Sequence, residues 1–132
     1  MSAHEGLERW HKVIDEGSSP EALAAIIRED AVFHSPVVHT PQVGRPIVVS
    51  YLSAASQTLG NDSFAYVREL VDGDNAMLEF TTEMDGIHVN GIDLIRFDED
   101  GMIVDFKVMV RPLKAVHKVW EQMAAMLETM KG

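Results

Sequence analysis

The stretch Gly91-Ile92-Asp93-Leu94-Ile95-Arg96-Phe97 sets one carboxylate in a row of apolar residues. Read as a strand over residues 87–97 with side chains alternating between faces, it puts Ile87, Val89, Gly91, Asp93, Ile95 and Phe97 together. His88, Asn90, Ile92, Leu94 and Arg96 fall on the other face. The first face is the more apolar, so it turns to the core and takes Asp93 with it. A carboxylate in such a place is costly unless it is hydrogen-bonded or protonated, and loss of water raises its pKa. A neutral carboxylic acid in an apolar cavity is a hydrogen-bond donor, able to hold a carbonyl or enol oxygen. The structural alternative is the same carboxyl tied to a backbone amide or to an arginine of a neighbouring strand.

Proton transfer needs a second group. Imidazole as a group titrates near neutral pH, so His34 is a candidate general base, with Ser35 beside it. Strand parity directs Phe33 and Ser35 to the cavity and His34 away from it, an order that a β-bulge at Pro36 would reverse. His39, in the following loop, is either a group folded over a cavity mouth or an exposed loop histidine. These two histidines have no inward carboxylate pair near them in sequence, so no metal site is expected, and no cofactor. Tyr51, Leu78, Phe80, Thr82, Phe106 and Val108 are the expected cavity walls and substrate-binding residues, with dry core as the alternative for each. Arg111 either closes the sheet on the last helix or makes a surface ion pair.

The elements that position these groups follow from periodicity and turn chemistry. Leu7, Trp10, Val13 and Ile14 predict a helix over 3–16, stopped by Gly17. Ser19 caps a second helix with Pro20 at its first position, and Asp30 to Ser35 turns extended. Residues 37–43 read as a loop, and Arg45-Pro46 opens a third helix ending near Leu59-Gly60. Four strands follow, 63–71, 76–84, 87–97 and 102–110, joined at Asp72-Gly73, Asp85-Gly86 and Asp98-Glu99-Asp100-Gly101. Asp-Gly between alternating strands signals a hairpin, so the four form an antiparallel meander. Pro112 opens a last helix, where Leu113, Val116, Trp120, Met123, Met126, Leu127 and Met130 make one apolar stripe. The fold class is α+β: a cone-shaped, curved antiparallel sheet wrapped around helices, with an extra C-terminal helix. Such a cone offers an apolar cavity with one mouth.

The chain has 132 residues, enough for a single domain over 1–132. Its formal net charge of −10 disfavours nucleic acid and anionic membranes as partners. It has no cysteine, which excludes thiolate chemistry and suits a cytoplasmic protein. No apolar run approaches the roughly 20 residues of a membrane helix, and the polar N-terminus does not read as a signal peptide. Outward-facing Met77, Ile92, Leu94 and Met109 predict an apolar sheet face suited to a homodimer.

Three stretches carry a resemblance: Asp30 to Tyr51 with Ser35-Pro36-Val37 and Gly44, the strand Ile92-Asp93-Leu94-Ile95-Arg96-Phe97, and Gly101-Met102-Ile103-Val104. In this order they resemble the superfamily of nuclear transport factor 2, ketosteroid isomerase and the SnoaL-like polyketide cyclases, over about residues 5–111. The resemblance implies an isomerase, cyclase or related lyase or hydrolase acting on a small apolar carbonyl compound, polyketide- or steroid-like, or else a non-catalytic binding or dimerisation module. Asp93 looks like the protonated aspartic acid of the isomerase oxyanion hole. Trp10 stands where that enzyme has a tyrosine donor, and Ser35 where it has its aspartate base. The epoxide hydrolases of this fold are a poorer match: Val108 occupies the place of their last-strand carboxylate.

Overall fold

The computed structural model describes residues 2–131 of the chain, with side chains from residue 3 to residue 128. Helix α1 (Ser2–Asp15) buries Ala3, Leu7, Trp10 and Val13, the spacing of one helical face. It ends where Gly17 takes a φ of 98° and Ser18 a φ of 54°, letting the Ser18 amide return to the Val13 carbonyl at 2.9 Å. Helix α2 (Pro20–Ile26) starts at Ser19, whose hydroxyl accepts from the Ala22 amide at 3.1 Å. It passes directly into strand β1 (Ile27–His34). A two-residue strand β2 (Gln42–Val43) pairs antiparallel with β1 inside the segment expected to be loop. Two residues are too few to show alternation, so only the pairing reveals it. Gly44, at φ 109°, then leads into helix α3 (Arg45–Leu59).

The meander is built as its turns dictate, from β3 (Ala65–Asp72), β4 (Asn75–Met84), β5 (Ile87–Phe97) and β6 (Ile103–Arg111). These pair antiparallel in sequence order, and the six strands run β2-β1-β6-β5-β4-β3. One contact differs from the antiparallel expectation. β1 lies parallel to β6, so the curved sheet is mixed. That pairing joins strands nearly seventy residues apart, with every other strand between them in sequence, and no local turn announces it. Helix α4 (Leu113–Lys131) completes the chain.

Burial alternates along β4 and β5 as expected for strands with one covered face. Leu78, Asp93 and Val108 are register partners across β4, β5 and β6, so the carboxyl lies in mid-sheet between two apolar residues. One step along, Gly91 pairs with Phe80. A Cβ at Gly91 would collide with the Phe80 ring, so the glycine leaves that ring its place in the core. Leu7 and Trp10 of α1, Val48 and Leu52 of α3 and the phenylalanines of the sheet share one core.

Helix α4 meets this core through Ala115, Val119 and Met123. This corrects the expected stripe: Leu113 is 72% exposed and Trp120 55% exposed. The helix carries two overlapping apolar stripes that cross at Met123, and packing selects the one with smaller residues. Met126 and Leu127 pack partly buried against the core, and Met130 lies outside the described side chains. The helix is tied down by Thr58, whose hydroxyl donates to Met123 Sδ at 3.4 Å, and by Lys118 and Gln122, which reach Asp85 at 3.3 and 3.2 Å. No helix among the described residues is long and apolar enough to cross a membrane.

Candidate active site

Asp93 is 7% exposed, and its Oδ2 accepts a hydrogen bond from the Tyr66 hydroxyl at 2.7 Å. Tyr66 in turn accepts from the Trp10 indole N–H at 3.1 Å. Three elements thus meet in one relay: α1 brings the indole, β3 the phenol and β5 the carboxyl. Each link has a local cause. Trp10 is fixed by its tilted contact with Phe106, 4.9 Å between ring centres. Tyr66 stands edge-on to Phe64 at 5.1 Å, and Phe64 stacks on Phe80 at 5.2 Å. A bulge between Tyr66 and Arg68 resets the parity of β3. It holds Tyr66 inward and leaves Val67 56% exposed, with Arg68 turned to Glu79 on the outer face at 3.0 Å.

The electrostatics follow from burial. Desolvation pushes the Asp93 carboxyl up to about 7, and the bond from Tyr66 pulls it partly back. Burial also drives the Tyr66 phenol well above its ordinary value, with the Asp93 charge adding to the effect. At neutral pH the site therefore holds a neutral phenol and a carboxyl that exists in both protonation states.

These groups border a cavity of about 70 Å³. Among its described lining residues, Asp93 and Tyr66 are the only ionisable ones, and the remainder is chiefly aromatic and aliphatic. Trp10, Phe80, Phe106 and Val108 stand in its wall with them. Other residues singled out from sequence lie elsewhere. Leu78 is fully buried beside Asp93 in register but borders neither this cavity nor the next one described. Thr82 donates to the Leu59 carbonyl at 3.1 Å and so pins the end of α3 to the sheet. Tyr51 stacks on Phe33, 5.0 Å between centres, in the wall of a second cavity of about 110 Å³. Ser35 borders that second cavity too, its Oγ accepting from the Val37 and Val38 amides at 3.1 and 3.3 Å.

His34 is not brought to Asp93. Parity turns it to the outer face, where its Nε2 lies 2.9 Å from Asp105 Oδ1 beside a shallow depression that also contains His39 and Lys107. Among the described residues no group of three or more histidine, cysteine, aspartate or glutamate side chains is arranged to hold a metal ion. Tyr66 is the site residue that the sequence reading missed. Its signal was the alternation Phe64-x-Tyr66, two aromatics on one face at the entry to the meander.

The carboxyl leaves a signature in stability. An unfolded aspartate titrates near 3.9, whereas Asp93 in the fold titrates at about 7. Between these values the folded state keeps a proton that the unfolded state has released. Its contribution is therefore complete below about pH 4, declines as pH rises by at most roughly 1.4 kcal/mol per unit, and is lost above about pH 7. Asp93→Asn carries no such proton. The variant is expected to gain stability relative to the parent by a few kcal/mol between pH 4 and 8, read from urea unfolding at a series of pH values. A pH-independent difference would contradict the assignment.

The fold agrees with that of known proteins. The chain superposes on a steroid delta-isomerase from Pseudomonas aeruginosa with a TM-score of 0.90 and 38% identity, covering 98% of this chain and 93% of that one. An uncharacterized bacterial protein with a cystatin-like fold from Silicibacter pomeroyi DSS-3 gives 0.85 and 29%, over 95% of this chain and 86% of the other. An NTF2-like protein of unknown function from Mesorhizobium loti gives 0.70 and 26%, over 84% and 92%. A comparison with curated proteins gave no match. The SnoaL-like domain matches residues 7–106. The chain belongs to the SnoaL-like domain family.

Proposed function

We propose that the chain is an enzyme that moves a proton within a small apolar carbonyl compound, an isomerase or cyclase, with Asp93 as the group that carries the proton. The observation that supports this most is the buried Asp93 carboxyl, at about 7, beside an apolar cavity. A proton carrier works best when its pKa is near the working pH. The sequence suggested a neutral Asp93 donating to an oxygen, with another residue as base. His34 faces away and Ser35 borders another cavity, so the task of the base is assigned to Asp93 and that of the donor to the oxygen passes to Tyr66. The ionised carboxyl takes a proton from a carbon next to the carbonyl. The C–H electron pair moves onto the carbonyl oxygen as an enolate. Asp93, now neutral, releases the Tyr66 hydroxyl from its bond and returns the proton to a second carbon, giving the isomer. Tyr66 is then free to donate to the enolate oxygen, and Trp10 keeps the phenol in place. The steroid delta-isomerase it resembles fits this reaction class.

A second reading, a non-catalytic ligand-binding module, is favoured by the absence of any ionisable group besides Asp93 and the Tyr66 phenol among the cavity's described lining residues. The two separate on proton exchange. Incubated with a β,γ-unsaturated cyclic ketone in deuterated buffer, the parent is expected to speed deuterium uptake and conversion to the conjugated isomer, read by proton NMR. The rate should rise with pH through about 7 as the base form of Asp93 accumulates. Asp93→Asn should lose roughly a hundredfold or more. Uptake at the solvent rate would favour the binding module.

The outer sheet face supports a second copy of this chain as partner, and a cytoplasmic location suits a chain without cysteine. Leu70 and Met109 are 56% and 45% exposed there, with Met77, Ile92 and Leu94 half-buried between them. The flanking groups have both signs: Arg68 pairs with Glu79, and Arg111 donates to Asn90 at 2.8 Å. Such a patch matches a two-fold copy of itself. Leu70→Glu combined with Met109→Glu is expected to convert a dimer to a monomer in analytical ultracentrifugation, and a parent already monomeric at high micromolar concentration would reject this pairing.

A further inference from the structure

The cavity at Asp93 has a neighbour. Ala55, Leu59 and Val108 border both the cavity of about 70 Å³ and the second one of about 110 Å³. The two differ in chemistry. The first holds the carboxyl and the phenol, whereas the second is mostly apolar, walled by Phe33, Tyr51, Met123 and Leu127. A compound with a polar head and an apolar tail would fit across both. The combined space, about 180 Å³, limits its size. A cavity of about 150 Å³ lined by apolar side chains takes one benzene ring, and sites for drug-sized ligands begin at about 300 Å³.

The partition is movable at one point. Val108 is β-branched, stiff at its first torsion, and fixed in mid-sheet opposite Asp93. Ala55 is too small to bar passage. Leu59 has rotamers to exchange, while its backbone stays put because its carbonyl accepts from Thr82. Behind the second cavity, Met123 is held by Thr58, so α4 forms a back wall.

We propose that the substrate is a one-ring or short-chain ketone or enone, not a polycyclic one. Its carbonyl end lies at Asp93 and its apolar tail passes Leu59 into the second cavity, and Leu59 sets the size limit. This rests on the proton-transfer reading above and narrows its substrate class.

The test is calorimetric titration with 2-cyclohexen-1-one, its 4-butyl derivative and a four-ring steroid enone, with the carbon-13 carboxyl signal of Asp93 followed in parallel. Both one-ring compounds are expected to bind and to move that signal, the butyl tail tightening binding roughly tenfold or more. The steroid enone should not bind the parent. Leu59→Ala should admit it, and Ala124→Leu, at a position that borders only the second cavity, should remove the gain from the butyl tail while keeping cyclohexenone binding. The second variant only adds volume in the second cavity, so it decides the matter should Leu59→Ala fail to fold. Steroid binding to the parent as tight as that of the butyl compound, with a moved Asp93 signal, would overturn the size limit and leave the reading of Asp93 intact. Binding of none of the three, or binding without any change at Asp93, would overturn both.

Discussion

A carboxyl group among aromatic rings is stable only if it keeps its proton or finds a donor, and the hydrogen bond from Tyr66 to Asp93 lies between these two solutions. One short bond in place of the full hydration of a charge leaves the carboxyl poised, neither firmly ionised nor firmly neutral. The rest of the interior is arranged around this compromise. The meander supplies the apolar neighbours Leu78 and Val108, and the bulge on β3 aims the phenol inward. Trp10 reaches from the first helix to satisfy the phenol oxygen. A second strong donor at the carboxyl would stabilise the anion and move its titration away from neutrality.

The same arrangement explains why the sheet must be curved and one face covered. On a flat sheet with its face in water, Asp93 would be an ordinary solvated carboxylate. Curling the strands around α1 and α3, with α4 across the second cavity, removes water from the site. The Gly91 position shows how close the fit is, since any side chain there would displace the Phe80 ring that floors the cavity.

Much of this was written in local sequence. Alternation along 87–97 placed Asp93 inward, and the Asp-Gly turns placed the hairpins, because both signals act over a few residues. Parity also turned His34 outward. What local patterns did not carry was pairing across long distances. The parallel contact of β1 with β6 and the relay from Trp10 through Tyr66 to Asp93 join residues 56 and 27 positions apart or more, and no turn residue encodes them. Tyr66 was hidden for a further reason: a bulge breaks the alternation of β3 just after it. On α4 the sequence offered two apolar stripes, and only the shape of the core chooses Ala115 and Val119 over Leu113 and Trp120.

The central claim is that burial, opposed by a single phenol, holds Asp93 near neutrality. Carbon-13 NMR of the Asp93 carboxyl, assigned with Asp93→Asn and followed from pH 3 to pH 9, tests it most directly. The account predicts a midpoint at about 7, moving upward in Tyr66→Phe as the opposing bond is removed. A midpoint near that of a free aspartate, unmoved by Tyr66→Phe, would contradict it.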